Sequence, residues 1–273
     1  MKLSVVLSVQ PAQFAAATFK GDIDTSLSQI ASLGYSGVEL AIRDPQRVDA
    51  AALEDLVGRH KLSVPAVGTG QAWGEEGLSF TDPDAAIRRR AIERIKSHVP
   101  LASRLGALVI IGLVRGVVKP GVEAAQAMDW LVEALVECAA VAQPAGVRLA
   151  LEPINRYETT LINNAQQGLD LVRRVGATNF GLLLDTFHMN IEELGIEASI
   201  TACGAHVFHF HVADSNRLPP GGGHLDFRSI LDCLDAAGYA GWVSGEFLPI
   251  PDALTAARNN INHLRKLLQT KQS

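Results

Sequence analysis

Short β-branched runs alternate with longer helical periods along this chain, and that alternation limits the fold more than any other feature. Strand candidates lie at residues 3–8, 37–41, 63–67, 107–112, 147–152, 180–185, 205–212 and 241–246. Between them the apolar residues recur at helical spacing. Ile23, Leu27, Ile30 and Ala31 mark a first helix that Gly34 stops, and Leu53, Leu56 and Val57 mark a second. Ile87, Ala91, Ile92, Ile95, Val99 and Ala102 predict a long third helix, which Pro100 should kink or interrupt. Met128, Leu131, Val132, Leu135 and Cys138 predict a fourth, ended near Pro144 and Gly146. Leu169 and Val172 follow, then a short helix at Ile196 and Ile200. Ile230, Leu231 and Leu234 end at Gly238, and Leu264, Leu267 and Leu268 close the series.

Eight strands alternating with eight helices predict an α/β chain with a parallel sheet. Right-handed crossovers favour its closure into a (β/α)8 TIM barrel, with residues 1–273 as a single domain. The 273 residues suit one such barrel, and a 48% hydrophobic content can fill its core. An open doubly wound sheet would carry a Gly-rich phosphate loop after its first strand, and Ser8-Val9-Gln10-Pro11 is not one. The most turn-rich stretch, Pro219-Pro220-Gly221-Gly222-Gly223, falls inside a βα connection and reads as a loop of that domain.

Composition narrows the function classes. No apolar run reaches the ~18 residues of a membrane helix. The opening MKLSVVLSVQ reads as a strand rather than a leader, so no membrane association and a cytoplasmic location are expected. A net charge of −5 without long basic runs argues against nucleic acid as a partner. Cys138, Cys203 and Cys233 are far apart in apolar segments and read as core thiols in a reducing compartment. No CxxC spacing points to structural zinc. Histidine is the informative residue: there are eight, and His188, His206, His209, His211 and His224 crowd into one short stretch.

In a barrel, function gathers at the C-terminal ends of the strands. Glu152, Asp185, His211 and Glu246 stand at the ends of the fifth to eighth strand candidates. One carboxylate after an apolar strand is ordinary. Four metal-ligand types on four successive strands are not, because carboxylates so close together repel and raise one another's pKa. A divalent cation resolves the conflict. Three carboxylates and an imidazole favour Mn²⁺ foremost, with Mg²⁺, Co²⁺ and Zn²⁺ as alternatives. Open positions on such an ion would take the adjacent carbonyl and hydroxyl oxygens of a sugar and stabilise an enediolate after proton loss. Glu152 and Glu246 would flank the substrate as the catalytic pair. One would remove a proton and the other would return one to the opposite face, which is epimerisation. A single base serving adjacent carbons would give aldose–ketose isomerisation instead.

Longer segments surround these residues: Leu151-Glu152-Pro153-Ile154-Asn155-Arg156-Tyr157-Glu158, Asp185-Thr186-Phe187-His188-Met189-Asn190-Ile191-Glu192-Glu193, His209-Phe210-His211-Val212-Ala213-Asp214-Ser215-Asn216-Arg217, and Gly245-Glu246. Through them the chain resembles, over nearly its whole length, the xylose-isomerase-like barrel superfamily of sugar isomerases and epimerases, and within it the ketose 3-epimerases. The resemblance implies that Glu152, Asp185, His211 and Glu246 hold the metal and that the two glutamates move the proton. It also implies that Glu158, His188 and Arg217 bind substrate oxygens. Ala41-Ile42-Arg43-Asp44-Pro45, Gly68-Thr69-Gly70-Gln71-Ala72 and Ile110-Ile111-Gly112-Leu113-Val114-Arg115-Gly116 look like the 5-keto-L-gluconate epimerase branch, which implies interconversion of 5-keto-L-gluconate and D-tagaturonate. A sugar acid needs a cation, and Arg43, Arg115 and Arg217 are the candidates, with structural ion pairing the alternative for the first two. The resemblance further implies a homo-oligomer, a dimer or tetramer.

His209 shares a strand face with His211 one layer deeper and reads as a hydrogen-bonded core histidine. His206 should point outward, His224 sits in the Gly-rich loop, and Trp73 is placed to wall the pocket. A neutral ketose 3-epimerase of the D-tagatose or D-psicose type, an aldose–ketose isomerase, a sugar dehydratase and a non-catalytic sugar binder are the competing readings. Abasic-site DNA endonucleases of the same superfamily use further histidines after strands three and four. Here those positions read Gly68-Thr69-Gly70-Gln71 and Gly112-Leu113-Val114-Arg115.

Overall fold

In the computed structural model, which describes residues 1–269, eight parallel strands close into a barrel in sequence order. They are β1 Lys2–Ser8, β2 Glu39–Ala41, β3 Ala66–Gly68, β4 Leu108–Ile111, β5 Leu149–Leu151, β6 Phe180–Asp185, β7 Val207–Val212 and β8 Trp242–Gly245. β8 pairs with β1 through Leu3 opposite Val243 and Ser4 opposite Ser244, which closes the ring. The helices are α1 Ile23–Ser32, α2 Ala50–Arg59, α3 Gln71–Glu76, α4 Ala85–Leu105, α5 Ala124–Ala142, α6 Ala165–Val175, α7 Thr186–Glu192, α8 Ile196–Cys203, α9 Phe227–Ala236 and α10 Ala253–Gln269.

The two-residue period of the strands sorts side chains between two apolar regions. Val5, Leu7, Leu40, Val109, Leu182 and Phe210 point outward and pack under the helices. Ala66, Leu108, Ile110, Ala150 and Leu183 form a smaller cluster inside the barrel. The interior also carries buried polar groups: Glu39, His209, His211 and Ser244 are each no more than 2% exposed. These mark the layer beneath the site.

The expected strands all form, and residues 180–185 agree at both ends. Three differences have physical reasons. Helix α4 continues through Pro100, so the helix is not interrupted there. The proline faces solvent, where water can take the carbonyl left without its partner N–H. Short helices α3 and α7 stand directly after β3 and β6, too brief for a periodic apolar signal. Among the described residues, no helix is long and apolar enough to cross a membrane.

A candidate metal centre at the barrel mouth

The backbone brings together the four residues that the sequence offers as candidate ligands. Asp185 lies opposite His211 in the β6–β7 register. Glu152 and Glu246 stand one residue past β5 and β8. Each prolongs the ladder, with its N–H donating to Ile111 and Val212 carbonyls at 3.2 Å. His211 Nδ1 is 3.8 Å from Glu152 Oε1, from Asp185 Oδ2 and from Glu246 Oε2. All four ligand atoms fall within 4.8 Å of one another.

Asp185 does two jobs because it ends a strand and begins a helix. Its Oδ1 caps α7 by accepting the Phe187 N–H at 2.7 Å and the His188 N–H at 3.4 Å. Its Oδ2 has no hydrogen-bond partner, and neither do Glu152 Oε1 and His211 Nδ1, although all three atoms are buried. Unpaired buried polar atoms are costly, so three of them aimed at one point call for a ligand there. A divalent cation fits this donor set of carboxylate oxygens and one imidazole nitrogen.

The acid–base properties follow from the crowding. Burial raises the Glu152 pKa well above the usual carboxylate value, and the neighbouring Glu246 adds to the effect. Burial also pushes Glu246 up to about 7, against the pull of His211 and Arg217. For His211, burial alone would lower the pKa, but Glu39 and then Glu246 outweigh it and raise it to about 10. Burial opposes ionisation of Asp185 as well, yet His188, Arg217 and His211 hold it below its ordinary value. This is the behaviour of negative charge crowded at one point and only partly balanced by His211 and Arg217.

A cavity of about 320 Å³ opens above the cluster, with Phe14, Trp73, Leu113 and Ile154 among its apolar walls. His188, Glu158 and Arg217 line it too. Asn155 sets the His188 ring: its Oδ1 accepts the Tyr157 N–H, while its Nδ2 donates to Glu158 and to His188 Nδ1 at 2.8 Å. His188 Nε2 lies 3.3 Å from the donor Nη1 of Arg217 and 3.8 Å from Glu152 Oε1. Burial keeps this histidine neutral, lowering its pKa to about 3. Arg217 adopts a left-handed φ of 61° in the loop after β7 and donates to Glu246 Oε2 at 2.7 Å. Its guanidinium stacks on Phe187 at 4.5 Å.

The other two arginines stand elsewhere. Arg43 is ion-paired with Glu75 and Glu76, so it ties the loop after β2 to α3. Arg115 is fully buried and donates to the carbonyls of Gly112, Leu161 and Ile162, bracing two loops from behind. Neither lines the cavity. His206 is exposed, and His224 bonds Ser215 in the exposed loop.

Sequence reasoning passed over Asn155, Phe14 and Glu39. Glu39 is buried inside the barrel, with its carboxylate on both His209 and His211. Its signal was a lone charge in the apolar run Val38-Glu39-Leu40-Ala41.

Comparison with known proteins matches residues 27–267 to the family model described as xylose isomerase-like TIM barrel. The chain is 32% identical over 235 residues to an L-ribulose 3-epimerase of Mesorhizobium japonicum, covering 85% of this chain and 78% of that one. It is 34% identical over 236 residues to a D-psicose 3-epimerase of Ruminiclostridium cellulolyticum, covering 82% and 78%. A solved L-ribulose 3-epimerase structure superposes with a TM-score of 0.84 at 27% identity, over 99% of this chain and 95% of that one.

Proposed function

We propose, from the premise that this chain belongs to the xylose isomerase-like TIM barrel family, that it is a divalent-metal-dependent epimerase acting at C3 of a neutral ketose. The observation that carries this reading is the convergence of Glu152, Asp185, His211 and Glu246, with the imidazole Nδ1 3.8 Å from each carboxylate. Relatives about one-third identical are named L-ribulose and D-psicose 3-epimerases, and both sugars are uncharged ketoses.

Glu152, Asp185, His211 and Glu246 would hold the ion, with Mn²⁺ the favoured metal. When bound, it supplies positive charge to the substrate carbonyl and lowers the cost of losing the adjacent proton. Glu152 and Glu246 approach from β5 and β8. One takes the C3 proton from one face while the other delivers a proton to the opposite face. His188 meets a sugar oxygen through its Nε2 edge, and Glu158 accepts from a sugar hydroxyl. Arg217 keeps Glu246 oriented and offers its remaining N–H groups to the sugar. Phe14 and Trp73 limit the entry of water.

The charge balance favours a neutral ketose over a sugar acid. Glu39, Glu75, Glu152, Glu158 and Glu246 line the cavity, and among the described lining residues Arg217 is the sole arginine or lysine. It already serves Glu246. With Arg43 and Arg115 engaged elsewhere, a substrate carboxylate would enter an acidic pocket without a free cation. The 5-keto-L-gluconate expectation therefore gives way to the neutral ketose.

The test is turnover of L-ribulose, D-psicose and D-tagatose by metal-stripped protein, before and after Mn²⁺ is added. Activity that appears with the metal supports the reading. Equal turnover by the stripped protein, or turnover of 5-keto-L-gluconate far above every neutral ketose, refutes it.

A further inference from the structure

We infer that Glu39 is a positioning residue that fixes His211 as its Nε2–H tautomer and so presents the Nδ1 lone pair to the ion-binding point. The inference rests on the metal-centre reading above and extends it one residue inward.

Glu39 opens β2 on the inward face and is 2% exposed. Its Oε2 lies 2.9 Å and its Oε1 3.1 Å from His211 Nε2. The same Oε2 lies 2.8 Å from His209 Nε2. An ionised carboxylate only accepts, so both rings must offer it an N–H. A neutral imidazole has one donor nitrogen and one acceptor nitrogen. In the neutral ring that ligation of an ion requires, spending the His211 donor on Glu39 leaves Nδ1 as the acceptor. That nitrogen is the buried, partnerless atom that faces Glu152, Asp185 and Glu246. The bond also sets the ring's rotation, because Glu39 and the three carboxylates address opposite nitrogens. His209 supplies the second donor that a carboxylate this deep requires, and so keeps Glu39 in place.

A purely structural role explains less. Buried charge networks add little net stability compared with apolar packing, so this one is weak as a stabilising device. A second ion held by Glu39, His209 and His211 is the other alternative, since each offers a ligand atom. It would require both His211 nitrogens to be deprotonated, whereas the hydrogen bonds require no proton loss.

Calorimetric titration of metal-stripped protein with Mn²⁺ separates these cases. Wild type should bind one ion per chain, and Asp185→Asn, which removes a direct ligand, should lose most of that binding. Glu39→Gln keeps the side chain's shape but replaces one acceptor with a donor. It should retain the single site with Kd raised about 10–100-fold, the usual penalty for losing such a supporting partner. An unchanged Kd overturns the inference and leaves the metal reading standing. Two ions per wild-type chain, with one lost in Glu39→Gln, overturn it in favour of direct ligation. No Mn²⁺ binding by wild type removes the metal reading itself. Should Glu39→Gln fail to fold, ¹⁵N-histidine NMR of Zn²⁺-loaded wild type decides. A proton on His211 Nε2 supports the inference, and a bare Nε2 contradicts it.

Discussion

Arg217 donates to the same Glu246 oxygen, Oε2, that faces His211 Nδ1, so one atom lies between a guanidinium and the ion-binding point. The arginine reaches it from a left-handed backbone position and rests on the Phe187 ring. Arg217→Lys keeps the charge but loses the planar fork and the stacking. Losing a charge-assisted bond of about 1.5–3 kcal/mol predicts a fall in kcat/KM of about 10–100-fold. Steady-state kinetics on a neutral ketose checks it, and a change below twofold would remove Arg217 from the site.

Glu152→Gln and Glu246→Gln each keep an oxygen for a metal ion but cannot carry a proton between substrate and protein. Loss of one general acid or base typically costs about 10²–10⁴-fold, so each variant should lose that much in kcat while keeping weakened Mn²⁺ binding. Turnover and calorimetry on the same preparations separate the two effects. Full activity in either variant would take that residue out of proton transfer.

Asn155→Ala removes the amide that donates to His188 Nδ1. The ring then loses the bond that fixes its orientation beside the cavity. KM should rise about tenfold, equivalent to ~1.4 kcal/mol, with a smaller change in kcat. A variant indistinguishable from wild type would show that His188 needs no such orientation.

Asp214 supplies a pH-dependent test of the loop that carries Arg217. Burial works against its ionisation, but the backbone N–H groups of Leu225, Ser215, Gly223 and Gly221 outweigh that and lower its pKa below 3.8. A depressed carboxylate contributes stability above its unfolded pKa, near 3.9, and loses it as pH falls through the folded value. Asp214→Asn should therefore melt below wild type at neutral pH, and the gap should narrow below about pH 4. Thermal melts across that range test it. A gap independent of pH would assign the loss to packing instead.

Much of the barrel was legible because alternation in strands and 3.6-residue repeats in helices are written in apolar residues. The cluster of four candidate ligands was legible because strand ends and residue types coincide at Glu152, Asp185, His211 and Glu246. What escaped detection depends on three-dimensional partners. Nothing local says that Arg43 meets Glu75 and Glu76, or that Arg115 turns inward to three carbonyls. Both arginines follow strands at the active face, which made them look available to a substrate. Glu39 and His211 are 172 residues apart in sequence, and only barrel closure joins them.

The proposed reaction turns on proton removal and return at C3 by Glu152 and Glu246. Its most direct test is Mn²⁺-loaded protein incubated with L-ribulose or D-psicose in D₂O, followed by NMR of the recovered sugars. Deuterium at C3 of a product with inverted C3 configuration is the predicted result. Deuterium at C1 or C2 with an aldose product, or inversion at C3 without deuterium there, would contradict it.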